Sequence, residues 1–213
     1  MSKGRRKEKL GLFGGTFDPV HLGHLILADA AREWAGLDRV LFLPSASPPH
    51  KTGGGKGPRA DFRHRLRMVE LAIAGHPAFQ ASDCEGLRPG PSYTIELLRE
   101  IRRETGEAAD LFFLIGADWA ASLGTWKEIE GIFALCRFLV VPRPGFPREG
   151  LSRLAAGLGA DRARQLEEGW VPAPEVGISS TDIRKRLASG RSVRYLLPPG
   201  VEGYIRGNAL YGA

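Results

Sequence analysis

The residues best suited to chemistry lie near the start of the chain, in the stretch GGTFDPVHLGHL at 14–25. The Asp18–Pro19 step suits the entry of a helix, because Asp accepts hydrogen bonds from N-terminal amides and Pro is tolerated in a first turn. His21 and His24 are then predicted to lie in that first turn, on one face. Helix N-termini favour phosphate, and two imidazoles aimed at one point add donors, and charge when protonated. The stretch therefore predicts a phosphate-binding site.

The same stretch has two other interpretations. A zinc ion would need more ligands than His21 and His24, and no nearby Cys, His or Glu has the spacing of a further ligand. Gly14, Gly15 and the Asp–Pro step would also serve any tight turn before a helix, with the two histidines incidental. The two glycines leave a predicted strand without side chains, so a ligand can approach the backbone. Phosphate binding is the interpretation we favour.

A second stretch of similar design is ISSTDIRKRL at 178–187. Ser179 is predicted to cap a helix, with Asp182 at its third helical position, close to a capping box. Ser180 and the free amides would line the entry of this helix, and Arg184 lies one turn further on. Taken alone, the stretch predicts only a good helix cap. Paired with the first stretch, it predicts the other side of a triphosphate clamp.

Neither of the common nucleotide fingerprints is present in the sequence. The GGGKG run at 53–57 lacks the hydroxyl residue that follows the lysine of a Walker motif, and it does not directly follow a predicted strand. No G-x-G-x-x-G pattern lies between the first predicted strand and helix. A nucleotide site in this protein must therefore be built in another way.

Short apolar runs alternate with longer amphipathic runs along the chain. Strands are predicted at 9–15, 39–44, 79–83, 110–118, 136–145 and 168–172, and helices at 21–36, 60–75, 93–106, 148–158, 178–190 and 198–208. This alternation predicts an α/β fold, a doubly wound parallel sheet with helices on both faces. Ligands of such sheets bind beyond the carboxyl ends of the strands, and groups of chemically interesting residues follow positions 13, 43, 115 and 177.

The periodicity of the first two helices predicts which side chains they bury. The predicted apolar faces consist of Leu22, Leu25, Ile26 and Ala30 in the first helix and of Phe62, Leu66, Val69 and Ile73 in the second.

Composition is typical of one globular domain, predicted to span residues 1–213. The chain is 43% hydrophobic and 25% charged, and 30 Lys and Arg against 24 Asp and Glu give a net charge of +6. This balance suits anionic partners, either nucleic acid or phosphorylated small molecules. No apolar run approaches the ~20 residues that cross a bilayer. The basic segment 1–9, predicted to be mobile, has no signal-peptide core, so we expect a cytoplasmic protein with reduced structural thiols at Cys84 and Cys136.

The two stretches together resemble the nucleotidyltransferase superfamily that is marked by H-x-G-H and a hydroxyl-rich segment with a following basic residue. The fold of that superfamily is a Rossmann-like sheet. The resemblance extends over residues 10–211 to bacterial nicotinate-nucleotide adenylyltransferases, on the ordered segments PSASPPHK (44–51), PSYTIELL (91–98), FLIGADWAASLGTW (113–126), VVPRPG (140–145) and VEGYIRGNALY (201–211). H-x-G-H alone is shared by several transferases, whereas the ordered set is specific.

The resemblance implies adenylyl transfer from ATP to nicotinate mononucleotide, which yields deamido-NAD and pyrophosphate without a protein nucleophile. It implies that His21, His24 and Arg184 stabilise the reacting phosphates as donors and cations. Mg²⁺ would enter with ATP and be held by phosphate oxygens and water. The residues implied to bind ATP are Gly15, Thr16, Phe17, Gly116, Asp118, Ser179 and Ser180.

For the mononucleotide, the resemblance implies that Trp126 stacks on the pyridine and that backbone amides near Thr94 and Trp126 meet the carboxylate. The set implied to bind this substrate is His50, Lys51, Tyr93, Thr94 and Trp126. Trp119 is a departure from the family pattern, which more usually has a small or polar residue there, so it competes with Trp126 for the stacking role. Glu96 and the glycine run at 53–57 are further departures.

Two rival functions remain. Another transferase of the same superfamily would accept nicotinamide mononucleotide or phosphopantetheine, although the phosphopantetheine enzymes would lack the SYT and GADW segments. A non-catalytic module that binds nucleic acid would show interleaved basic and aromatic residues or an RNA-binding motif, and the sequence shows neither. We therefore expect ATP and nicotinate mononucleotide as partners, with no nucleic acid and no membrane.

Overall fold

The computed structural model describes residues 6–47, 58–88 and 90–213. Within these residues a sheet of five parallel strands organises the fold. The strands are β1 (Glu8–Gly15), β2 (Arg39–Pro44), β3 (Phe79–Ala81), β4 (Ala109–Gly116) and β5 (Arg137–Val141), and their order in the sheet is β3–β2–β1–β4–β5. The helices are α1 (Leu22–Ala35), α2 (Phe62–Ile73), α3 (Thr94–Thr105), α4 (Ile129–Leu135), α5 (Leu151–Leu154), α6 (Ala160–Glu168), α7 (Ser180–Ala188) and α8 (Pro199–Gly207). The predicted doubly wound parallel fold is confirmed.

The central strand β1 lies between β2 and β4. Phe13 of β1 is in register with Phe42 of β2 on one side and with Leu114 of β4 on the other. The chain winds outward from β1 through β2 to β3, and then crosses to the other side to form β4 and β5. The strand order thus reverses between β1 and β4, which is the position where a crevice opens at the carboxyl ends of the strands.

Both faces of the sheet are covered by apolar side chains, as expected for parallel strands. On one face, Phe13, Phe42 and Leu114 pack with residues of α1, α2, α7 and α8. On the other face, Leu12 and Phe113 pack with residues of α3, α4, α5 and α6. The strands are therefore fixed from two sides, and the loops at their carboxyl ends start from rigid positions.

The face that α1 buries differs from the predicted one. Gly23, Leu27, Ala28 and Ala31 are buried, whereas Ile26 is 42% exposed. Three of the four buried positions carry small side chains, which let the helix approach the sheet closely, so close packing and not side-chain size decides the face. The prediction was wrong for Ile26 because hydrophobicity alone favours large residues.

The buried face of α2 contains a charge that periodicity did not predict. Val69 and Ile73 are buried as predicted, but the face also includes Met68 and the arginine Arg65, which is 1% exposed. An arginine is almost never fully buried unless its donors are satisfied.

The predicted strand at 168–172 is wrong, and the helix α6 before it was not predicted. A single bridge joins Val140 to Trp170: the Val140 N–H donates to the Gly169 carbonyl and the Val171 N–H donates to the Val140 carbonyl, each at 2.9 Å. The next donor toward Val171 would be residue 142, which is a proline without an N–H, and the Ala173 N–H donates to the Val171 carbonyl instead, so the pairing does not extend into a strand. The predicted helix at 148–158 is a series of short turns around the four-residue α5.

The N-terminal segment joins the sheet earlier than predicted. β1 begins at Glu8, the Lys9 N–H donates to the Asp38 carboxylate at 2.8 Å, and Arg6 pairs with the same carboxylate. Residues 6–9 thus contact the rest of the sheet, residues 1–5 lie outside the described residues, and the mobility of segment 1–9 stays a prediction. In the described parts of the chain, no helix is long and apolar enough to cross a membrane, and both cysteines are free thiols.

Candidate active site

A cavity of about 440 Å³ opens at the crevice between the carboxyl ends of β1 and β4. Its walls come from segments far apart in the sequence, and they include Gly14, Gly15, His24, Gly116, Arg143 and Ser180, together with Tyr93, Thr94, Trp119 and Trp126. Most of the residues predicted from the sequence are thus brought to one cavity. The position agrees with the rule that ligands of open α/β sheets bind outside the strand ends.

His21, not Asp18, is the N-cap residue of α1. The His21 N–H donates to His24 Nδ1 at 3.1 Å, and the His24 N–H donates to the His21 carbonyl at 2.9 Å. Because Nδ1 of His24 accepts a hydrogen bond, a neutral His24 carries its proton on Nε2. His24 lines the cavity, and the hydrogen bonds of the turn leave its Nε2–H as the group that can donate to a ligand.

The two imidazoles stack on each other, with ring centroids 3.7 Å apart. His21 is only 2% exposed, so it lies behind His24 and not at the cavity surface. Burial, followed by the positive charge of Arg143, lowers the pKa of His21 to about 3. Burial, then His21 and then Arg143 also hold the pKa of His24 well below its usual range. Burial therefore favours neutral rings in the unliganded protein, and the expectation that they act as cations toward bound phosphates stays a prediction.

Acid is expected to destabilise the fold through these rings. An unfolded histidine titrates near pH 6.5, whereas the pKa of His21 in the folded protein is about 3. Between these values the unfolded state binds one more proton than the folded state. The free energy of unfolding therefore decreases as the pH is lowered, by up to about 1.4 kcal/mol per pH unit per histidine. His21→Asn should therefore flatten the loss of stability between about pH 6 and pH 4, measured by urea unfolding. An unchanged slope would contradict a neutral buried His21.

Gly23 is required by the packing of His21. A Cβ at position 23 would lie 3.1 Å from His21 Nδ1 and 3.1 Å from Val176 Cγ1, which is tighter than ordinary contact. The glycine of H-x-G-H thus lets the His21 ring fit between α1 and the segment that precedes α7. Gly15 has a similar reason, since its Cβ would lie 3.0 Å from the Phe17 ring. The space left by Gly15 is filled by an aromatic ring, while its backbone still lines the cavity.

Asp18 is not a helix cap; its buried carboxylate joins three segments of the chain by hydrogen bonds. Its carboxylate accepts hydrogen bonds from the N–H groups of Arg59 at 2.8 Å and Ala60 at 3.1 Å, and from the Tyr211 hydroxyl at 2.7 Å. Asp18 is 4% exposed. It therefore ties the turn after β1 to the segment that precedes α2 and to the C-terminal residues.

The second predicted stretch forms the expected capped helix and contacts the first. Ser179 Oγ accepts from the Asp182 N–H at 3.1 Å, which confirms the predicted cap of α7. Ser180 Oγ donates to the Pro19 carbonyl at 2.9 Å, and Arg184 Nη1 donates to the Asp18 carbonyl at 2.6 Å. The N-terminus of α7 is thus fastened to the turn that precedes α1. Arg184 lines an open depression beside the cavity.

Arg143 is a cavity residue that the sequence analysis missed. It follows β5, and its Nε is buried without a hydrogen-bond partner among the described residues. The nearest carboxylate, that of Asp118, lies 3.5 Å from this Nε. The predicted strand 136–145 contained Arg143, whereas β5 ends at Val141, before Pro142; a strand ended at that proline would have placed Arg143 where chemically active residues of such sheets cluster. The VVPRPG segment was singled out only as a family marker.

The end of β4 and the turn after it carry two of the residues that the resemblance implies bind ATP. Gly116 lines the cavity, and Asp118 follows in the 3₁₀ turn Ala117–Thr125. A Cβ at Gly116 would lie 2.3 Å from the Asp118 carboxylate and 2.9 Å from Arg143 Nε. The absence of a side chain at 116 therefore lets Asp118 and Arg143 approach each other at the strand end.

Trp119 and Trp126 form a corner in the cavity wall. Their ring centroids are 5.8 Å apart and the planes meet at 75°, and Phe113 packs edge-on against Trp126 at 6.1 Å. Because the two rings are nearly perpendicular, a planar ligand that stacks on one meets the other edge-on. The backbone N–H of Trp126 donates to the Leu123 carbonyl at 2.9 Å and is engaged within the protein, and binding of the carboxylate by amides near Trp126 stays a prediction.

Tyr93 and Thr94 form another part of the wall, where α3 begins. Tyr93 is the N-cap residue of α3, and Thr94 is its first helical residue. Lys127 Nζ lies 4.5 Å above the Tyr93 ring and 2.6 Å from the Glu96 carboxylate. The sequence analysis missed Lys127, which directly follows Trp126 and lines the cavity. His50 and Lys51, also predicted to bind the mononucleotide, lie outside the described residues.

Comparison with known proteins first defines the class. The family model described as cytidylyltransferase-like matches residues 12–186, so the chain belongs to that family of nucleotidyltransferases. A solved structure from Plasmodium falciparum, nicotinic acid mononucleotide adenylyltransferase complexed with NaAD, shares the fold, with a TM-score of 0.74, 18% identity and coverage of 96% of this chain and 97% of that chain.

The curated relatives define the group within that class. A protein of Thermus thermophilus named "Probable nicotinate-nucleotide adenylyltransferase" is 46% identical over 208 residues, 95% of this chain and 99% of its own length. A protein of Pelobacter propionicus with the same name is 42% identical over 215 residues, 95% and 98% of the two chains. The chain is a member of the nicotinate-nucleotide adenylyltransferase family.

Proposed function

We propose that this protein transfers the adenylyl group of ATP to nicotinate mononucleotide, forming deamido-NAD and pyrophosphate, as a single nucleotidyltransferase domain. The observation that carries the proposal is the set of donors at one cavity: Nε2 of His24, the N-terminus of α7 and the guanidinium of Arg143. The set contains donors and a cation but no nucleophile paired with a base. That composition suits phosphoryl transfer between two substrates.

In the proposed reaction, a phosphate oxygen of the mononucleotide attacks the α-phosphorus of ATP in line. The new P–O bond forms as the bond from the α-phosphorus to the bridging oxygen breaks, and the electron pair leaves with pyrophosphate. His24 Nε2–H and Arg143 donate to oxygens on which negative charge increases, and the amides that begin α7 help to hold the phosphates. Arg184 acts from the adjoining depression, where it also holds Asp18.

The cavity offers hydrogen-bond donors to phosphates and, in the described residues, no set of metal ligands, which fits a metal ion that enters bound to ATP. Among the residues that the structure describes, no group of three or more His, Cys, Asp and Glu could hold a metal ion. Mg²⁺ would be carried by phosphate oxygens and water, and it would neutralise charge on the triphosphate. The protein contributes the fixed donors, and Gly15, Thr16, Phe17, Asp118, Ser179 and Ser180 are proposed to bind the rest of ATP.

The cavity also offers features that favour a carboxylate on the pyridine. The N-terminus of α3 lies at the cavity wall at Tyr93 and Thr94. A helix N-terminus stabilises an anion and offers less to a neutral amide. The Lys127 ammonium group lines the cavity as well, but it is paired with the Glu96 carboxylate at 2.6 Å, so the helix N-terminus is the feature that favours a carboxylate. We therefore propose nicotinate mononucleotide as the preferred acceptor.

Trp126→Ala should raise KM for nicotinate mononucleotide about ten-fold and leave KM for ATP within two-fold, because stacking of a base on an aromatic ring contributes about 1–3 kcal/mol. Trp119→Ala, which removes the nearly perpendicular ring, should raise KM for nicotinate mononucleotide by less. Trp34→Ala is the control, since Trp34 is 44% exposed on α1. A larger effect of Trp119→Ala than of Trp126→Ala would move the stacking role to Trp119.

The test of the function is pyrophosphate release with ATP and Mg²⁺, run in parallel with nicotinate mononucleotide, nicotinamide mononucleotide and phosphopantetheine, and with chromatography of the dinucleotide product. Deamido-NAD should form with the first acceptor, with a kcat/KM at least ten-fold above that for the second. No release with nicotinate mononucleotide would overturn the proposal. Turnover with another acceptor only would identify a different transferase of the same superfamily.

A further inference from the structure

Arg65 is a buried charged residue to which the proposed reaction assigns no role. It lies in the first turns of α2, it is 1% exposed, and it is the largest of the fully buried side chains among the described residues. Burying an arginine is costly unless its donors are satisfied, so its position needs a physical explanation.

The guanidinium group is satisfied by backbone carbonyls from three separate segments. Nη1 donates to the Thr16 carbonyl at 2.7 Å and to the Ser45 carbonyl at 2.8 Å, Nε donates to the Ala60 carbonyl at 3.1 Å, and Nη2 lies 3.4 Å from the Ala46 carbonyl. These carbonyls belong to the turn after β1, the segment that leaves β2 and the residues that precede α2. The planar fork of donors that only arginine has matches this arrangement.

The charge is held without a direct carboxylate partner in the described part of the chain. Burial lowers the pKa of Arg65, and Asp18, the first of the acidic groups that oppose this effect, raises it. A guanidinium is not deprotonated in proteins, so the group remains a cation whose hydrogen bonds go to carbonyl oxygens. An apolar side chain of the same size would leave these carbonyls without donors, at a cost for each buried one.

The contacts of Arg65 reach the walls of the cavity directly. Thr16 and Ser45 both line it, and the Ser45 N–H donates to the Gly15 carbonyl at 2.8 Å. Arg65 thus joins the turn after β1 to the segment that leaves β2, the same two segments that the Ser45–Gly15 hydrogen bond joins. Its single guanidinium sets the spacing between the nucleotide-binding turn at Gly15–Thr16 and the segment that leaves β2.

We propose that Arg65 is a positioning residue for adenylyl transfer: it fixes the relative position of the turn after β1 and the segment after β2, and thereby the backbone that binds the phosphates. This inference rests on the proposed function for its kinetic consequence and on the hydrogen bonds alone for its structural one. Both consequences are measurable in the full-length protein.

The test compares Arg65→Lys with Met68→Ala, a matched control that removes packing from the same buried face of α2 but no hydrogen bond to either segment. At a temperature where both are folded, Arg65→Lys should lower kcat at least ten-fold. The lysine ammonium group lacks the planar fork of donors that reaches all three segments, and its flexible stem does not fix their spacing. Met68→Ala should keep kcat within two-fold while lowering the thermal midpoint. Arg65→Gln, which buries no charge, replaces the lysine variant if that one does not fold.

Hydrogen exchange of the Ser45 amide separates this inference from the proposed function. In either Arg65 variant this amide should exchange at least ten-fold faster than in the wild-type protein, and it should be unchanged in Met68→Ala. Unchanged exchange in a folded Arg65 variant would overturn the inference, even if the wild-type protein were inactive with nicotinate mononucleotide. If the wild-type protein is active, a folded Arg65 variant with kcat within two-fold of it would overturn the inference as well.

Discussion

His24→Ala is expected to lower kcat by ~10²-fold or more, with little change in the binding of ATP. The imidazole lines the cavity, and its Nδ1 is occupied by the His21 N–H at 3.1 Å, so the only free function of the ring is donation from Nε2. A donor aimed at charge that develops in the transition state affects kcat more than ground-state binding. The measurement is steady-state pyrophosphate release with ATP and nicotinate mononucleotide.

Two isosteric variants separate the donor from the helix cap. His24→Asn places an oxygen near the position of Nδ1 and keeps the cap, so it should lose as much activity as the alanine variant. His24→Gln places an amide nitrogen near Nε2 and should retain more activity than either. The control is His64→Ala, because His64 lies on α2 and bonds to the Tyr204 hydroxyl at 2.9 Å, away from the cavity. Turnover of His24→Ala within a few-fold of wild type would leave His24 a purely structural role.

Arg143→Met is expected to lower kcat/KM for ATP by about 10²-fold or more, because charge-assisted hydrogen bonds to phosphate are among the strongest that a protein makes. The guanidinium lines the cavity, and its nearest carboxylate is 3.5 Å away at Asp118. Arg143→Lys should recover only part of the loss, since an ammonium group lacks the planar fork of donors. Pyrophosphate release at varied ATP concentration gives the comparison.

The same variant has a spectroscopic consequence that a packing defect would not produce. The positive charge of Arg143 contributes to the lowered pKa of both His21 and His24, so its removal should raise both pKa values, measured by NMR titration of the imidazole signals. Arg137→Met is the matched control, because Arg137 is exposed at the opposite end of β5. Unaltered histidine titration together with wild-type kcat/KM would remove Arg143 from the site.

Local features were the most predictable from the sequence. The cap of α7 by Ser179 and the strand–helix alternation depend on residues close together in the chain, so their spacing alone predicts them. The resemblance then selected the family, and comparison confirmed it. Asp18 shows the limit of local reasoning: its type suits a helix cap, yet its carboxylate binds amides more than forty residues away.

The sequence by itself therefore determined the fold class, the family and the two helix entries that meet at the cavity. Only the tertiary structure decided the charge on the histidines, because desolvation and the field of Arg143 arise from groups far along the chain. It also placed Arg143 in the cavity wall and Arg65 in the core against the turn after β1, the two positions to which we propose roles in the site. Burial and long-range contacts set the protonation and aim of a side chain, and neither quantity is contained in the spacing of neighbouring residues.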